Sequence, residues 1–135
     1  MKYTGIWIDK EKAHIVGIEN EVVSFKTIKS NIENFNPRGG SGTKFKGGPQ
    51  DVIHDSKYLE REKHQLKKYF KRIISQIIDS GVLVIFGPAD TYLKFNKELN
   101  ENYPELALKV KGAIKSDSMT NNQIKALVKD FFELN

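Results

Sequence analysis

The chain has 135 residues, of which 39% are hydrophobic and 29% charged, with a net charge of +5 and no cysteine. This composition is typical of one folded domain and excludes an intrinsically disordered chain, a disulfide framework and a thiolate metal site. No stretch approaches the roughly 18 apolar residues of a membrane span, and the charged opening MKYTGIWIDKEK is unlike a signal peptide. We therefore expect a cytoplasmic protein without membrane contact.

The first thirty residues predict a three-stranded antiparallel meander. In YTGIWID successive side chains alternate between the two faces of a strand, so Ile6 and Ile8 lie on one face and Trp7 on the other. We expect Trp7 in the core. A polar turn over residues 9–12 leads into AHIVGIE, and Asn20 with Glu21 turns the chain again into VVSFKTIKS. Three neighbouring strands follow from this pattern.

Residues 35–56 predict a flexible loop, because glycine and proline are frequent and core-forming residues are few. A phosphate-binding loop would need Gly-Lys-Ser/Thr opening a helix, whereas GGSGTK places threonine before lysine. A dinucleotide fingerprint would need its glycines to join a strand directly to a helix. We expect no cofactor. The loop is either a plain connector or a segment that approaches a phosphate backbone closely, since it has few side chains in the way.

The period then changes to that of an amphipathic helix of roughly two dozen residues, which Gly81 is expected to cap. Its apolar positions recur at steps of three and four, at Leu59, Leu66, Phe70, Ile73, Ile74, Ile77 and Ile78. Tyr58 and Tyr69, beside its lysines, could stack on bases or lie at the edge of the core.

The residues that follow predict a strand, a helix, a weaker strand and a final helix. VLVIF, residues 82–86, suits a strand covered on both faces, and Asp90 can cap a helix that continues to Asn100. Residues 107–115 give the fifth strand. Thr120 and Gln123 form a capping box before a helix that buries Ile124, Leu127, Val128 and Phe131.

The element order is β-β-β-α-β-α-β-α, which predicts an α/β fold with a mixed five-stranded sheet, an antiparallel meander continued by parallel α/β units. Helices should cover both faces of the sheet. This is the order of the ribonuclease H-like architecture, an analogy that fixes no chemistry by itself. We expect residues 1–135 to form one domain. The sequence leaves the oligomeric state open.

Positive charge is concentrated in residues 38–72, which hold ten cations and four acids, a net charge of +6, whereas the rest of the chain sums to −1. Such a segment can attract a polyanion, or it can be an ordinary solvated helix face. The candidate RNA-binding residues are Arg38, Lys44, Lys46, Gly47, Gly48, Lys57, Arg61, Lys63, His64, Lys67, Lys68, Lys71 and Arg72.

The segment from GGPQ through EREKHQ to GVLVIFGPADTYLKFNKEL resembles the central domain of eukaryotic and archaeal class-1 peptide-chain release factors and of Pelota. It also resembles small bacterial single-domain relatives of the archaeal-type factors. In the family a Gly-Gly-Gln loop precedes a long basic helix with an EKRHN-like sequence, and a GLVLAGSADFKTEL-like strand, turn and helix follow. Gln50 precedes His64 by fourteen residues, as the Gln precedes the His of the family.

The resemblance implies a ribosomal partner, with ribosomal RNA or tRNA lying along the basic helix, and a role in ribosome rescue or in the occupancy of idle ribosomes. It also implies the alternative of peptidyl-tRNA ester hydrolysis with Gln50 as the catalytic residue. The chain departs from the motif here, because it reads Gly48-Pro49-Gln50. Proline fixes φ and removes an N–H, so we do not expect the geometry of the catalytic loop to survive. The chain has no room for the stop-codon-reading domain.

Two other functions remain open from the residues alone. A ribonuclease H-like nuclease would need clustered carboxylates for two metal ions, for which Asp9, Glu60, Glu62 and Asp90 are the candidates. Asp9 also reads as a turn residue and Asp90 as a helix cap, and the scattered histidines give no metal site. A protein-interaction module would bind a partner protein independently of RNA.

Overall fold

The structure, a computed structural model, describes residues 1–31 and 48–134, and the side chains of residues 1–31 and 60–134. These residues form five strands: β1 (Tyr3–Ile8), β2 (Lys12–Glu19), β3 (Val22–Lys29), β4 (Val82–Gly87) and β5 (Val110–Lys115). The helices of the described residues are α1 (Gly48–Ile77), α2 (Thr91–Asn102), α3 (Pro104–Ala107) and α4 (Asn121–Phe132). None of the described helices is long and apolar enough to cross a membrane.

The strands form one mixed sheet in the order β3-β2-β1-β4-β5. Strands β1, β2 and β3 pair antiparallel, while β1 with β4 and β4 with β5 pair parallel. The prediction of an antiparallel meander continued by parallel units is confirmed.

The two turns of the meander are built by local polar chemistry. Between β1 and β2, Asp9 Oδ1 accepts hydrogen bonds from the backbone N–H groups of Glu11 and Lys12, each at 2.8 Å, as an aspartate that initiates a turn does. Between β2 and β3, Asn20 and Glu21 have φ values of 53° and 67°, the left-handed conformation of a two-residue hairpin turn. Both predicted turns are confirmed.

Helices cover both faces of the sheet, as predicted. On one face Ile6, Ile8 and Ile15 pack against the apolar stripe of α1 and against α2 and α3. On the other face Trp7 and Val84 pack against α4. The capping box of α4 is present, with Thr120 and Gln123 each accepting from the other's backbone N–H. The predicted core positions of α4 divide into buried Ile124 and Val128 and partly buried Leu127 and Phe131.

Helix α1 begins at Gly48, so residues 48–56 of the predicted loop are helical and the helix has 30 residues. Sequence reasoning treated Gly48 and Pro49 as loop residues. Proline is nonetheless well suited to the first turn of a helix, because its missing N–H would have no intrahelical partner there and its φ is already helical.

Two helix ends differ from expectation. Helix α1 ends at Ile77, and no glycine in the described residues has a positive φ, so Gly81 is not its cap. Gly81 instead lies against the start of β1, where an added Cβ would meet the Lys2 carbonyl oxygen at 3.2 Å and Met1 Cγ at 2.7 Å. Asp90 occupies the N-cap position of α2 but its side chain makes no capping hydrogen bond.

Strand β5 is shorter than predicted, because residues 104–107 form the short helix α3 and the strand begins at Val110. Pro104 follows the end of α2 and opens α3. The same fixed φ that stops one helix favours the first turn of the next.

Candidate nucleic-acid interface

The outer face of α1 carries the cationic residues that the sequence singles out. The helical period of 3.6 residues turns the apolar positions Leu66, Phe70 and Ile73 toward the sheet, where they are buried. The seven candidates with described side chains all lie exposed on the other side of the helix: Arg61, Lys63, His64, Lys67, Lys68, Lys71 and Arg72. From Arg61 to Arg72 this outer face extends about 16 Å along the helix axis.

Four of the cations on this face are lysines with exposed side chains. Lys63, Lys67, Lys68 and Lys71 form no ion pair within the described part of the chain. Their ammonium groups are therefore available to an anionic partner, with only the solvent and its counterions to displace.

Arg72 differs from these lysines because it also ties the helix to the sheet. Its Nη2 donates hydrogen bonds to the carbonyl oxygens of Lys29, at 2.5 Å, and Ser30, at 3.2 Å. One turn further along α1, Gln76 Oε1 accepts a hydrogen bond from Lys26 Nζ at 2.7 Å. The C-terminal half of β3 and the residue that follows it are thereby held against the flank of α1.

The turn between β1 and β2 supports the same helix nearer its middle. Tyr69 is fully buried and its hydroxyl donates to the carbonyl oxygen of Asp9 at 3.0 Å. Burial, and next the charge of Asp9, raise the pKa of Tyr69 far above its usual value, so the phenol stays a neutral donor. Lys10 pairs with Glu62, which lies about two turns before Tyr69 in α1. The alternative that Tyr69 stacks on bases is wrong, because its ring is in the core.

A groove of about 670 Å³ lies between the outer face of α1 and the end of β3. Among the described residues it is lined by three cations and four neutral polar side chains: Lys68, Lys71, Arg72, Ser30, Asn31, Gln65 and Ser75. Gln65 Oε1 is buried and has no hydrogen-bond partner among the described residues. The described lining of the groove is therefore polar and positively charged.

The structure describes the remaining candidate site residues only in part or not at all. The backbone of Gly48 and Gln50 lies in the first turn of α1 and that of Lys57 two to three turns later, but the side chains of Gln50 and Lys57 lie outside the described residues. Arg38, Lys44, Lys46 and Gly47 lie outside the described residues altogether. RNA contact by any of the candidates stays a prediction.

The carboxylates proposed for a nuclease are not gathered into a metal site. The described residues contain no group of three or more His, Asp or Glu side chains that could hold a metal ion. Asp9 Oδ1 accepts a backbone hydrogen bond in the turn between β1 and β2, and Asp90 Oδ2 lies 3.7 Å from Lys94 Nζ. Asp9 is thus the turn residue that was predicted, and Asp90 occupies the N-cap position of α2 without a side-chain capping hydrogen bond.

Sequence reasoning missed the neutral side of the groove. Ser30 and Asn31 follow β3, and nothing in the sequence indicates that the end of this strand lies beside residues 65–75 of α1. Gln65 gave a weak signal, as a polar residue adjacent to the apolar stripe. Only the packing of strand against helix brings the two groups together.

No protein-family model matches this chain, and no curated protein matches it by sequence. Solved structures share its fold. Pelota of Archaeoglobus fulgidus superposes with a TM-score of 0.58 at 13% identity, over 96% of this chain and 31% of that one. An archaeal translation termination factor superposes with a TM-score of 0.63 at 10% identity, over 98% of this chain and 35% of that one. Pelota of Thermoplasma acidophilum superposes with a TM-score of 0.60 at 16% identity, over 99% of this chain and 34% of that one.

The chain thus spans about a third of the length of these proteins. The likeness shows a common fold over nearly all of this chain, in line with the expected resemblance to one domain of such factors.

Proposed function

We propose that this protein acts in translation by binding ribosomal RNA or tRNA on the ribosome through the outer face of α1. The observation that carries the proposal is the row of exposed lysines at positions 63, 67, 68 and 71, which have no ion-pair partner in the described part of the chain. Proteins that neutralise nucleic-acid phosphates use Lys and Arg in this way, and the release of counterions supplies the free energy.

The fold of the structural neighbours supports the same proposal. One neighbour is an archaeal translation termination factor. We infer that this chain acts on ribosomes in the cytoplasm, in the rescue of stalled ribosomes or in the occupancy of idle ones. Helix α1 would lie along RNA, and the residues before it would point toward the acceptor end of a tRNA.

The test is charge reversal on the outer face, Lys67→Glu, Lys68→Glu and Lys71→Glu together, followed by co-sedimentation with ribosomes. We expect binding to be lost, because three attractive phosphate contacts become repulsive. Arg72 is left in place because its hydrogen bonds to Lys29 and Ser30 support the sheet.

A matched control reverses three exposed lysines elsewhere, Lys97→Glu, Lys111→Glu and Lys115→Glu, which changes the net charge by the same amount. This control should still co-sediment if the location of the charge matters, and circular dichroism should show both variants folded. Undiminished co-sedimentation of the α1 variant would reject the proposal. Loss of wild-type binding after RNase treatment of the ribosomes separates RNA binding from a protein-interaction module.

A further inference from the structure

We propose that the outer edge of β3 binds an extended, acidic segment of another protein, which adds to the sheet as a further strand. The inference does not depend on the proposed function, because it uses the backbone of the sheet edge rather than the outer face of α1. Three properties of the described residues carry it: the direction of the backbone groups of β3, a pocket at one end of the edge, and positive charge at the other end.

Every second residue of β3 directs its backbone N–H and C=O away from β2. Because a two-residue turn joins the strands, Glu19 and Val22 exchange ladder hydrogen bonds with each other. The N–H of Ser30 donates to the carbonyl oxygen of Glu11 at 2.8 Å, which continues the same alternation to the end of the strand. In the described part of the chain β3 is the last strand on this side of the sheet. The backbone groups open to a further strand are therefore those of Val23, Phe25 and Thr27.

The two edges of the sheet differ in regularity. At the opposite edge Leu83 pairs with Val110 and Val84 with Gly112, so Lys111 of β5 is an extra residue without a partner in β4. Such a bulge interrupts the spacing of the ladder and protects an edge from pairing. Strand β3 instead pairs with β2 over eight residues without a shift of register. Its edge keeps the regular spacing that a further strand needs.

A pocket of about 530 Å³ lies at the end of this edge nearest the β2–β3 turn, between the turn and the C-terminal end of α4. Its described lining is half apolar, from Tyr3, Ile18, Val23 and Leu134, and half polar. Val23 thus belongs both to the pocket and to the open edge. Peptides that add a strand gain affinity from main-chain hydrogen bonds and specificity from pockets that accept alternate side chains. The residue opposite Val23 would place an apolar side chain in this pocket.

The other end of the edge is positively charged. Lys26 and Lys29 of β3 are exposed, and the guanidinium of Arg72 lies at the carbonyl oxygen of Lys29. Acidic residues of the partner match this end, and such complementary charges fix the register of a bound strand. We infer antiparallel pairing, which is the more stable form. Since Lys29 and Val23 are six residues apart, the partner segment carries an acidic residue six positions before an apolar one.

A second copy of this chain fits the edge poorly. Two β3 edges paired about a two-fold axis would place both α1 helices on the same face of the joined sheet. The grooves between α1 and the end of β3 would then face each other, and each is lined by Lys68, Lys71 and Arg72. Like charges brought together in this way oppose association. An acidic segment of a different protein meets the same edge without this repulsion.

The test uses the full chain and a labelled synthetic peptide with blocked ends, Glu-Ile-Thr-Glu-Val-Thr-Leu-Val, whose residues in this order face β3 from Lys29 back to Val22. We expect it to bind, and the same peptide with lysine in place of both glutamates to bind at least about tenfold more weakly, the change that about 1.4 kcal/mol produces. Hydrogen exchange locates the contact. On binding, exchange should slow at the amides of Val23, Phe25 and Thr27 and stay unchanged at Ser24 and Lys26, which already donate to β2.

A proline on the edge tests the main-chain contact. Val23→Pro removes an outward N–H and no ladder hydrogen bond to β2, a position at which an edge strand tolerates proline. Val23→Ala is the matched control, because it shortens the side chain and keeps the N–H. We expect the proline variant to bind the peptide at least about tenfold more weakly than the alanine variant, with circular dichroism showing both folded.

A change in the peptide gives the same test without altering the protein, should Val23→Pro fail to fold. N-methylation of the fifth peptide residue, whose N–H faces Phe25, should abolish binding, whereas N-methylation of the sixth, whose N–H points away from β3, should not.

Failure of the peptide to bind would overturn the inference, as would equal binding of its lysine version or equal effects of the two N-methylations. Slow exchange at Val23, Phe25 and Thr27 in the free chain at low concentration would show the edge already covered by the chain itself. Self-association that protects the same amides would assign the edge to a second copy. Each of these results leaves the proposed function standing, because ribosome co-sedimentation tests that separately.

Discussion

The guanidinium of Arg72 donates a hydrogen bond to the backbone carbonyl oxygen of Lys29, 2.5 Å away, at the last residue of β3. A residue on the cationic face of α1 thus also fixes where the edge strand ends. Ser30 and Asn31, which form one wall of the groove, come directly after this contact. We infer that Arg72 is a positioning residue, whereas Lys68 and Lys71 contact phosphates.

The two roles predict different responses to salt. Each phosphate contact contributes roughly 0.7–0.9 to the slope of log affinity against log salt, because neutralising a phosphate releases counterions. Lys68→Gln should therefore lower the slope for ribosome binding by about that amount. Arg72→Gln should weaken binding at every salt concentration and leave the slope nearly unchanged. Binding is measured at several salt concentrations for wild type and both variants.

Hydrogen exchange supplies an independent readout for Arg72. Amides around Ser30 should exchange faster in Arg72→Gln than in wild type, because the strand end has lost its anchor, and Lys68→Gln should not alter them. A slope reduced equally by both substitutions, with no change in exchange, would assign Arg72 to phosphate binding instead.

Gly5 in β1 is predicted to be irreplaceable because α4 lies directly on it. A Cβ on Gly5 would come within 2.2 Å of Val128 Cγ2, far inside van der Waals contact. Gly5→Ala should therefore lower the free energy of unfolding by about 1–3 kcal/mol, the usual cost of overpacking a core. Urea denaturation measures the loss.

A double-mutant cycle tests whether the clash with Val128 is the cause. Val128→Ala removes the methyl groups that the new Cβ would meet, so Gly5→Ala should cost much less in that background than in wild type. Additive losses would mean that strain in β1 itself, and not the packing of α4, accounts for the destabilisation. Gly87→Ala gives a contrasting case, because its Cβ would meet the Ile8 carbonyl oxygen at 2.4 Å and no side-chain truncation can relieve that contact.

The sheet could be read from the sequence because its determinants are local. Alternation in residues 3–9, the polar turn at Asp9 and the pair Asn20–Glu21 fix strands and turns without knowledge of the rest of the chain. The capping box at Thr120 is equally local. The cationic face of α1 was also predictable, since charge and helical period together place its residues on one side.

The sequence could not show what happens at positions where two distant segments meet. Gly81 was predicted to cap α1 because glycine often follows the last turn of a helix. It lies instead against the backbone of Lys2 at the start of β1. RNA contact by Arg72 stays a prediction, but the sequence could not show that a strand end lies within reach of its guanidinium. Tyr69 was left open between stacking on bases and the edge of the core, because the sequence could not show that the Asp9 turn supplies an acceptor for its hydroxyl.

His14 predicts a loss of stability at mildly acidic pH. Its ring is buried on β2, stacks on Phe25 and shares a hydrogen bond of 2.8 Å with Thr27. Burial, and next the positive charge of Lys12, lower the pKa of His14, although Asp9 acts in the opposite sense. The unfolded chain binds a proton near the ordinary pKa of about 6.5 and the folded chain only at lower pH, so stability falls as the pH drops below about 6.5.

The measurement is the free energy of unfolding between about pH 5 and pH 7.5 for wild type and His14→Gln. The variant should lose less stability on acidification, whatever its stability at neutral pH. The difference between the two profiles is the quantity to compare, because carboxylates titrate in part of the same range. Parallel profiles would show that His14 protonates equally in the folded and unfolded states.

Gln50 is predicted not to support hydrolysis of peptidyl-tRNA. The backbone of Gly48, Pro49 and Gln50 forms the first turn of α1, and proline at the second position has no N–H to offer an oxyanion. We expect purified ribosomes carrying peptidyl-tRNA to release no more peptide with wild type than with Gln50→Ala. Pro49→Gly restores a Gly-Gly-Gln triplet and is the informative companion variant. Release that requires Gln50 in the wild-type chain would show that the helical turn opens on the ribosome and that the protein is an enzyme. Release gained only in Pro49→Gly would show that the proline alone keeps a competent site silent.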